Sequence, residues 1–167
     1  GNDVTNDEWH HIAVVSEKSP AETRVYLDGT LVYTIAEWVG ILSADQLVIG
    51  GELDNSAIDE VLYGRLDEFR IWDMPLTTAQ LDEVSIASLD QTYVDGISGL
   101  SWSDLIAYYN FDFSDEAEDN STWLPYLLDN SGNGNNGTFN NFALTGTDGN
   151  FILSDLNIGV KPLGVTS

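Results

Sequence analysis

Short runs in which apolar and polar positions alternate dominate the chain, and a helical period surfaces only once. The run "EWHHIAVVS" has the β-branched and aromatic enrichment of a buried strand. In "RVYLDGTLVY" two apolar runs flank Asp28-Gly29, a pair that tolerates the positive φ angles of a type I′ turn, so a β-hairpin is expected there. "QLVIGG" reads as a short strand closed by glycines, and "LYGRLDEFRIWD" as a longer strand with period-two alternation. "PLTTAQLDEVSIASL" breaks this pattern: Thr77 and Gln80 fit a capping box, and Leu81, Val84 and Leu89 form a helical stripe. One short helix near 78–88 is therefore predicted. After the turn-rich "DQTYVDGISGLSWSD", "LIAYYNFDF" is again a strand, and "GTFNNFALT" and "NFILSDL" are two further strand candidates. Many short strands with a single helix indicate an all-β antiparallel sandwich or jelly roll.

Alternation also assigns faces. On the "LYGRLDEFRIWD" strand Asp67, Phe69 and Ile71 share one face, and Leu66, Glu68, Arg70 and Trp72 share the other. With Phe69 and Ile71 inward, Asp67 starts on the core side, where an unpaired carboxylate is costly. It needs hydrogen bonds, a cationic partner or a metal there, unless it caps a turn at the sandwich edge.

Charge narrows the partners. The 167 residues carry 28 acids against five basic residues, a formal net charge of −23, while 43% of positions are hydrophobic. Such apolar content suits a folded body with acids spread over its surface rather than a disordered acidic tail. Nucleic acid is excluded as a partner on this balance, since phosphate binding draws on lysine and arginine. Divalent cations suit it, as does a plain solubility coat. There is no cysteine, hence no disulfide and no thiolate chemistry. No apolar run approaches the roughly 18 residues needed to span a bilayer, so no membrane insertion is expected. With Met74 the only methionine and glycine at position 1, the chain reads as a processed or excised piece of something longer.

The stretch "DNSGNGNNGT", 129–138, is the main candidate for chemistry. Counted as an EF-hand from Asp129 it places Ser131, Asn133 and Gly134 at positions three, five and six, but Asn140 where a bidentate glutamate belongs, between β rather than helical flanks. A calcium site of another kind stays open beside a bare glycine-rich turn, since glycines let backbone carbonyls turn inward. His10 and His11, as strand neighbours, point to opposite faces and do not chelate one ion together; one is expected packed and the other exposed. "GELDNSA" offers Glu52 and Asp54 but Ser56 in place of a third acid, so the alternating-acid strand of sandwich glycosidases is not formed, and catalysis is not expected. Of the five tryptophans, Trp38 stands in an expected loop and is the candidate for stacking on a sugar ring. Asn120-Ser-Thr and Asn136-Gly-Thr match glycosylation triplets.

Four blocks together resemble a known family. "VTNDEWHHIAVV", "RVYLDGTLV", "LVIGG" and "GRLDEFRIWDMPLTTAQLDE" follow one another over residues 4–83 as in the laminin-G-like, concanavalin A-like jelly-roll domains of large secreted bacterial surface proteins. The ends depart from the family pattern. Little precedes the "WHH" block, while "LIAYYNFDF" followed by "LLDNSGNGNNGTFNNF" resembles the family's opening strand and loop. Two arrangements follow. Either 1–103 is the back half of one jelly roll and 104–167 supplies its closing strands, which is preferred, or 104–167 begins a neighbouring unit. In both, front strands are missing and another segment must supply them.

The resemblance implies that the loop lies near the closing strand, where calcium is held by carboxylate and main-chain oxygens. Carried onto this sequence, Asp129 and Asp67 are the expected ligands, with Asn133 third. It implies a noncatalytic, calcium-stabilised module that binds glycans or mediates adhesion, secreted or at the cell surface. Alternatives are a structural spacer with no ligand, partnered by other segments of the same large protein, or an accessory module of an exported polysaccharide-degrading enzyme.

Overall fold

A computed structural model describes residues 4–40, 47–54, 57–60, 62–85, 88–112, 120, 126–140 and 142–145. Strands β1 (Ile12–Lys18), β2 (Ala21–Leu27) and β3 (Thr30–Ile35) form an antiparallel meander. Asp28 and Gly29 adopt φ of +49° and +74°, so the β2–β3 hairpin closes on the type I′ pair read from the sequence. A hairpin of β4 (Glu52–Asp54) and β5 (Ala57–Asp59) follows, and β6 (Phe69–Trp72) pairs with β7 (Leu105–Tyr109). All sheets are antiparallel, and the fold is an incomplete all-β sandwich.

Three expectations shift. "LVIGG" is not a strand: Gly50 turns at φ +82° and accepts from the Leu62 amide, and pairing starts only at Glu52. The long strand before Trp72 shrinks to four residues, because Glu68 sits at φ +55° and interrupts the pleat. The single helix is α1 (Thr78–Val84), with its capping box of Thr77 and Gln80 in place, but α2 (Gln91–Asp95) and a 3₁₀ turn at Trp102–Asp104 fold from the turn-rich segment. Asp90 and Ser101 cap these two by accepting from the amides of Tyr93 and Ser103, a side-chain signal that Asp and Ser also send in plain turns. Of "GTFNNFALT" only Gly137 pairs, with Leu127; "NFILSDL" lies outside the described residues.

Two cores flank β7. Val15 and Tyr26 from the meander pack with Leu81, Val84 and Val94 of the helices and with Leu105 and Tyr108. Ala107, Tyr109, Leu127 and Leu144 form the second core, against Phe69 and Ile71. A bulge opposite Ile71 and Trp72 lets Leu105 face the first core although Ala107 faces the second.

The other face of the meander is open. Register places Ile12 beside Leu27, Val14 beside Val25, and Val25 beside Tyr33 on one face. Ile12, Val14 and Tyr33 there are 59%, 62% and 60% exposed. Among the described residues of the three strands no acid stands on this face, and the charged residue there, Lys18, lies at the rim. The acids of β1 and β2, Glu17 and Glu22, fall on the opposite face, where Arg24 bridges both at 3.0 and 3.3 Å.

Candidate functional site

The "DNSGNGNNGT" loop closes on itself. Leu127 and Gly137 exchange both backbone hydrogen bonds at 2.9 Å, and a Cβ at Gly137 would come within 3.3 Å of the Leu127 Cβ. Gly132 and Gly134 turn the chain at φ +91° and +77°, conformations glycine adopts without a Cβ clash. At the centre is Asp129, 5% exposed. Its Oδ1 accepts from the amides of Tyr108 (3.0 Å) and Ser131 (2.9 Å), and its Oδ2 from the amide of Asn135 (2.9 Å). The Ser131 hydroxyl donates to the Ile106 carbonyl at 3.4 Å. Burial pushes the Asp129 carboxyl up, but the hydrogen bonds it accepts outweigh this and hold the group below the usual aspartate range.

The loop covers an edge. In an antiparallel pair alternate residues of a strand direct their backbone groups away from the partner. Tyr108 gives its amide to Asp129 and accepts from the amide of Asn130 at 2.7 Å. The Ile106 carbonyl accepts from Nδ2 of Asn133 (3.2 Å) and of Asn135 (2.8 Å), and Asn133 reaches the Leu105 carbonyl as well. Trp102 Nε1 donates to the Ser131 carbonyl at 3.0 Å, and Tyr109 to that of Asn135. An aspartate and three asparagines thus do for β7 what a neighbouring strand would.

This geometry does not fit a calcium ion at Asp129. A carboxylate is a calcium ligand through its two oxygens, and here three backbone amides already occupy both of them. Asn133 turns its amide nitrogen to backbone carbonyls, where a ligand would offer its oxygen to a cation. Asp67 is elsewhere, before β6 and so across β7 from the loop, half-buried, with Oδ1 accepting from the Glu68 amide at 2.9 Å. It caps its left-handed neighbour, and the strand-face argument that aimed it inward fails with the pleat. Among the described residues no three acid or histidine side chains converge as a metal cluster.

Trp38 is 41% exposed, with Lys18 Nζ 5.3 Å from its ring centroid. The backbone around it is pinned: the Val39 amide donates to Ser16 Oγ (2.9 Å), and Thr23 donates to the Glu37 carbonyl (2.8 Å). Trp38 therefore borders the open face of the meander. A Cβ at Gly40 would meet the Trp38 ring at 2.0 Å, so a larger residue there would make the ring move. His10 and His11 are both partly buried instead of one packed and one exposed. Burial first, then the Arg70 charge, lowers the His11 pKa against the opposing pull of Asp28. Asn120 is 2% exposed, so that triplet offers no accessible acceptor amide.

Sequence reading missed a buried polar cluster. Glu68 and Arg70, with side chains 8% and 7% exposed, form an ion pair beneath α1. Arg70 also donates to the Val84 carbonyl; Tyr108 (2.8 Å) and Ser88 (3.1 Å) donate to Glu68, and the Tyr108 hydroxyl accepts from the Leu89 amide at 3.1 Å. Burial raises the Tyr108 pKa, aided by the Glu68 charge. The available signal was Glu68 and Arg70 sharing a strand face two positions apart.

Residues 1–82 match the family model of the concanavalin A-like lectin/glucanases superfamily, of the laminin-G type. Among solved structures, an S-layer domain-containing protein of Clostridium thermocellum (residues 221–444) aligns at 22% identity and a TM-score of 0.42, over 49% of this chain and 41% of that one. This chain thus spans about two fifths of that one. No curated protein matches.

Proposed function

We propose that the chain, whose residues 1–82 match the laminin-G-type model of the concanavalin A-like superfamily, is a noncatalytic structural module of a large secreted or cell-surface protein. Its open face would be covered by a further β-layer of that same protein. The supporting observation is the face itself: Ile12, Val14 and Tyr33 stand exposed on a strand surface without an acid among the described residues, in a chain of charge −23. Burying each would contribute about 1.5–3 kcal/mol. A second copy is a poor occupant, because two bodies of like charge repel. A sugar polymer would ask for more hydrogen-bonding groups than Ser16, Thr23 and Tyr33 supply.

The isolated chain is expected to sediment as a monomer and to bind a hydrophobic dye, with Val14→Glu abolishing dye binding while leaving the chain folded. In the larger protein the same change should lower the melting temperature. A stable dimer that Val14→Glu dissociates would defeat this reading.

Trp38 supports a second reading, glycan binding or adhesion, because the backbone on either side of it is pinned yet its ring stays 41% exposed. An array of soluble oligosaccharides tests it: saturable binding lost in Trp38→Ala would establish the lectin role, and silence across the array leaves the structural one.

A further inference from the structure

A further organised polar group surrounds His10. Its ring touches two oxygens: Nδ1 is 2.8 Å from Asp28 Oδ2, and Nε2 is 2.9 Å from Asn6 Oδ1. An amide can present either end, but here its orientation is set. Asn6 Nδ2 donates to Glu8 Oε2 at 3.1 Å, and Asn6 Oδ1 accepts from the Glu8 amide at 3.1 Å. Both groups facing the imidazole are therefore pure acceptors, and a neutral ring has one proton for the two of them.

We propose that His10 is a proton-operated latch, closed in its doubly protonated form, that ties the segment before β1 to the turn of the β2–β3 hairpin. Loss of one ring proton sets a lone pair against an oxygen and opens one of the two ties. The turn end is rigid: Asp28 Oδ1 accepts from the His11 amide at 2.9 Å, and the Asp28 amide donates to the His11 carbonyl at 2.9 Å. The titratable groups around the latch are Asp28 on the turn, Glu8 behind Asn6, His11 at the start of β1, and Asp82 of α1, which stands 3.1 Å from where a Gly29 Cβ would lie.

The latch has an acid limit too. The bond from His10, then that from the His11 amide, lowers the Asp28 pKa, so the carboxylate end survives into acid below the usual aspartate range. The latch is closed between that limit and the pH at which the imidazole sheds its second proton. Its physical effect is to loosen the N-terminal segment when the imidazole gives up a ring proton.

Nitrogen-15 NMR of the wild-type chain at about pH 6 should show protons on both ring nitrogens of His10. Thermal unfolding of wild type against Asn6→Ala should show a gap of about 1–3 °C at that pH that narrows as pH rises and the ring loses a proton, the remainder being the Asn6–Glu8 bonds. Asn6 lies outside every strand and core, so this variant folds even if His10→Ala does not. A singly protonated ring at about pH 6, or a gap that does not change with pH, overturns the latch.

Discussion

Asp129 organises the loop through its two carboxylate oxygens. Three backbone amides, from Tyr108, Ser131 and Asn135, depend on its two oxygens. Asp129→Ala should cost about 3 kcal/mol, since each buried donor left bare carries its desolvation penalty. In a chain of this size that is roughly 6–12 °C in Tm by calorimetry. Asp129→Asn should cost nearly as much, because its amide nitrogen would face another donor. The pH dependence follows from the lowered carboxyl pKa. A group held lower in the folded chain stabilises above its unfolded value, so the gap between wild type and Asp129→Ala should be constant above about pH 5 and shrink as pH falls below about 4. Added calcium should shift the Tm of wild type and Asp129→Ala equally; a wild-type response lost in the variant would restore the ion to this loop.

At the scale of elements, the joint between β6, β7 and α1 depends on the buried Glu68–Arg70 pair. Removing one partner strands a charge. Glu68→Ala should destabilise by about 3–5 kcal/mol in urea unfolding, whereas Glu68→Leu combined with Arg70→Met should recover most of that loss. A double variant as unstable as the single would mean that the Tyr108 and Ser88 bonds, rather than charge balance, carry the joint. The sequence placed Glu68 and Arg70 on one face, but it could not show that α1 and the 88–89 segment close over that face. Burial of a strand face depends on what packs there, and the contacts from Tyr108 come from 40 residues away.

For the whole molecule, a charge of −23 stores repulsion in the folded state that unfolding would relax. Stability should therefore rise with sodium chloride from about 0.01 to 0.15 M, as the Debye length shortens from about 30 to 8 Å. Glu17→Gln should fall outside that trend, because the Arg24 bridge it removes is itself weakened by salt. A Tm independent of salt would mean that the acids are compensated locally. Among the described residues no helix is long and apolar enough to cross a membrane.

What the sequence alone determined is what depends on neighbours along the chain. The Asp28-Gly29 turn and the Thr77–Gln80 capping box appear where they were read, because each is decided within a few residues by φ preference and side-chain reach. The antiparallel all-β class followed from the same short-range alternation. Tertiary structure decided the rest. The positive φ of Glu68 ended a strand that alternation alone would have continued. The partners of Asp129 lie on β7, 21 residues back at Tyr108, so whether it met amides or an ion depended on which strand edge the loop came to cover. That edge is set by sheet pairing, which no local pattern encodes.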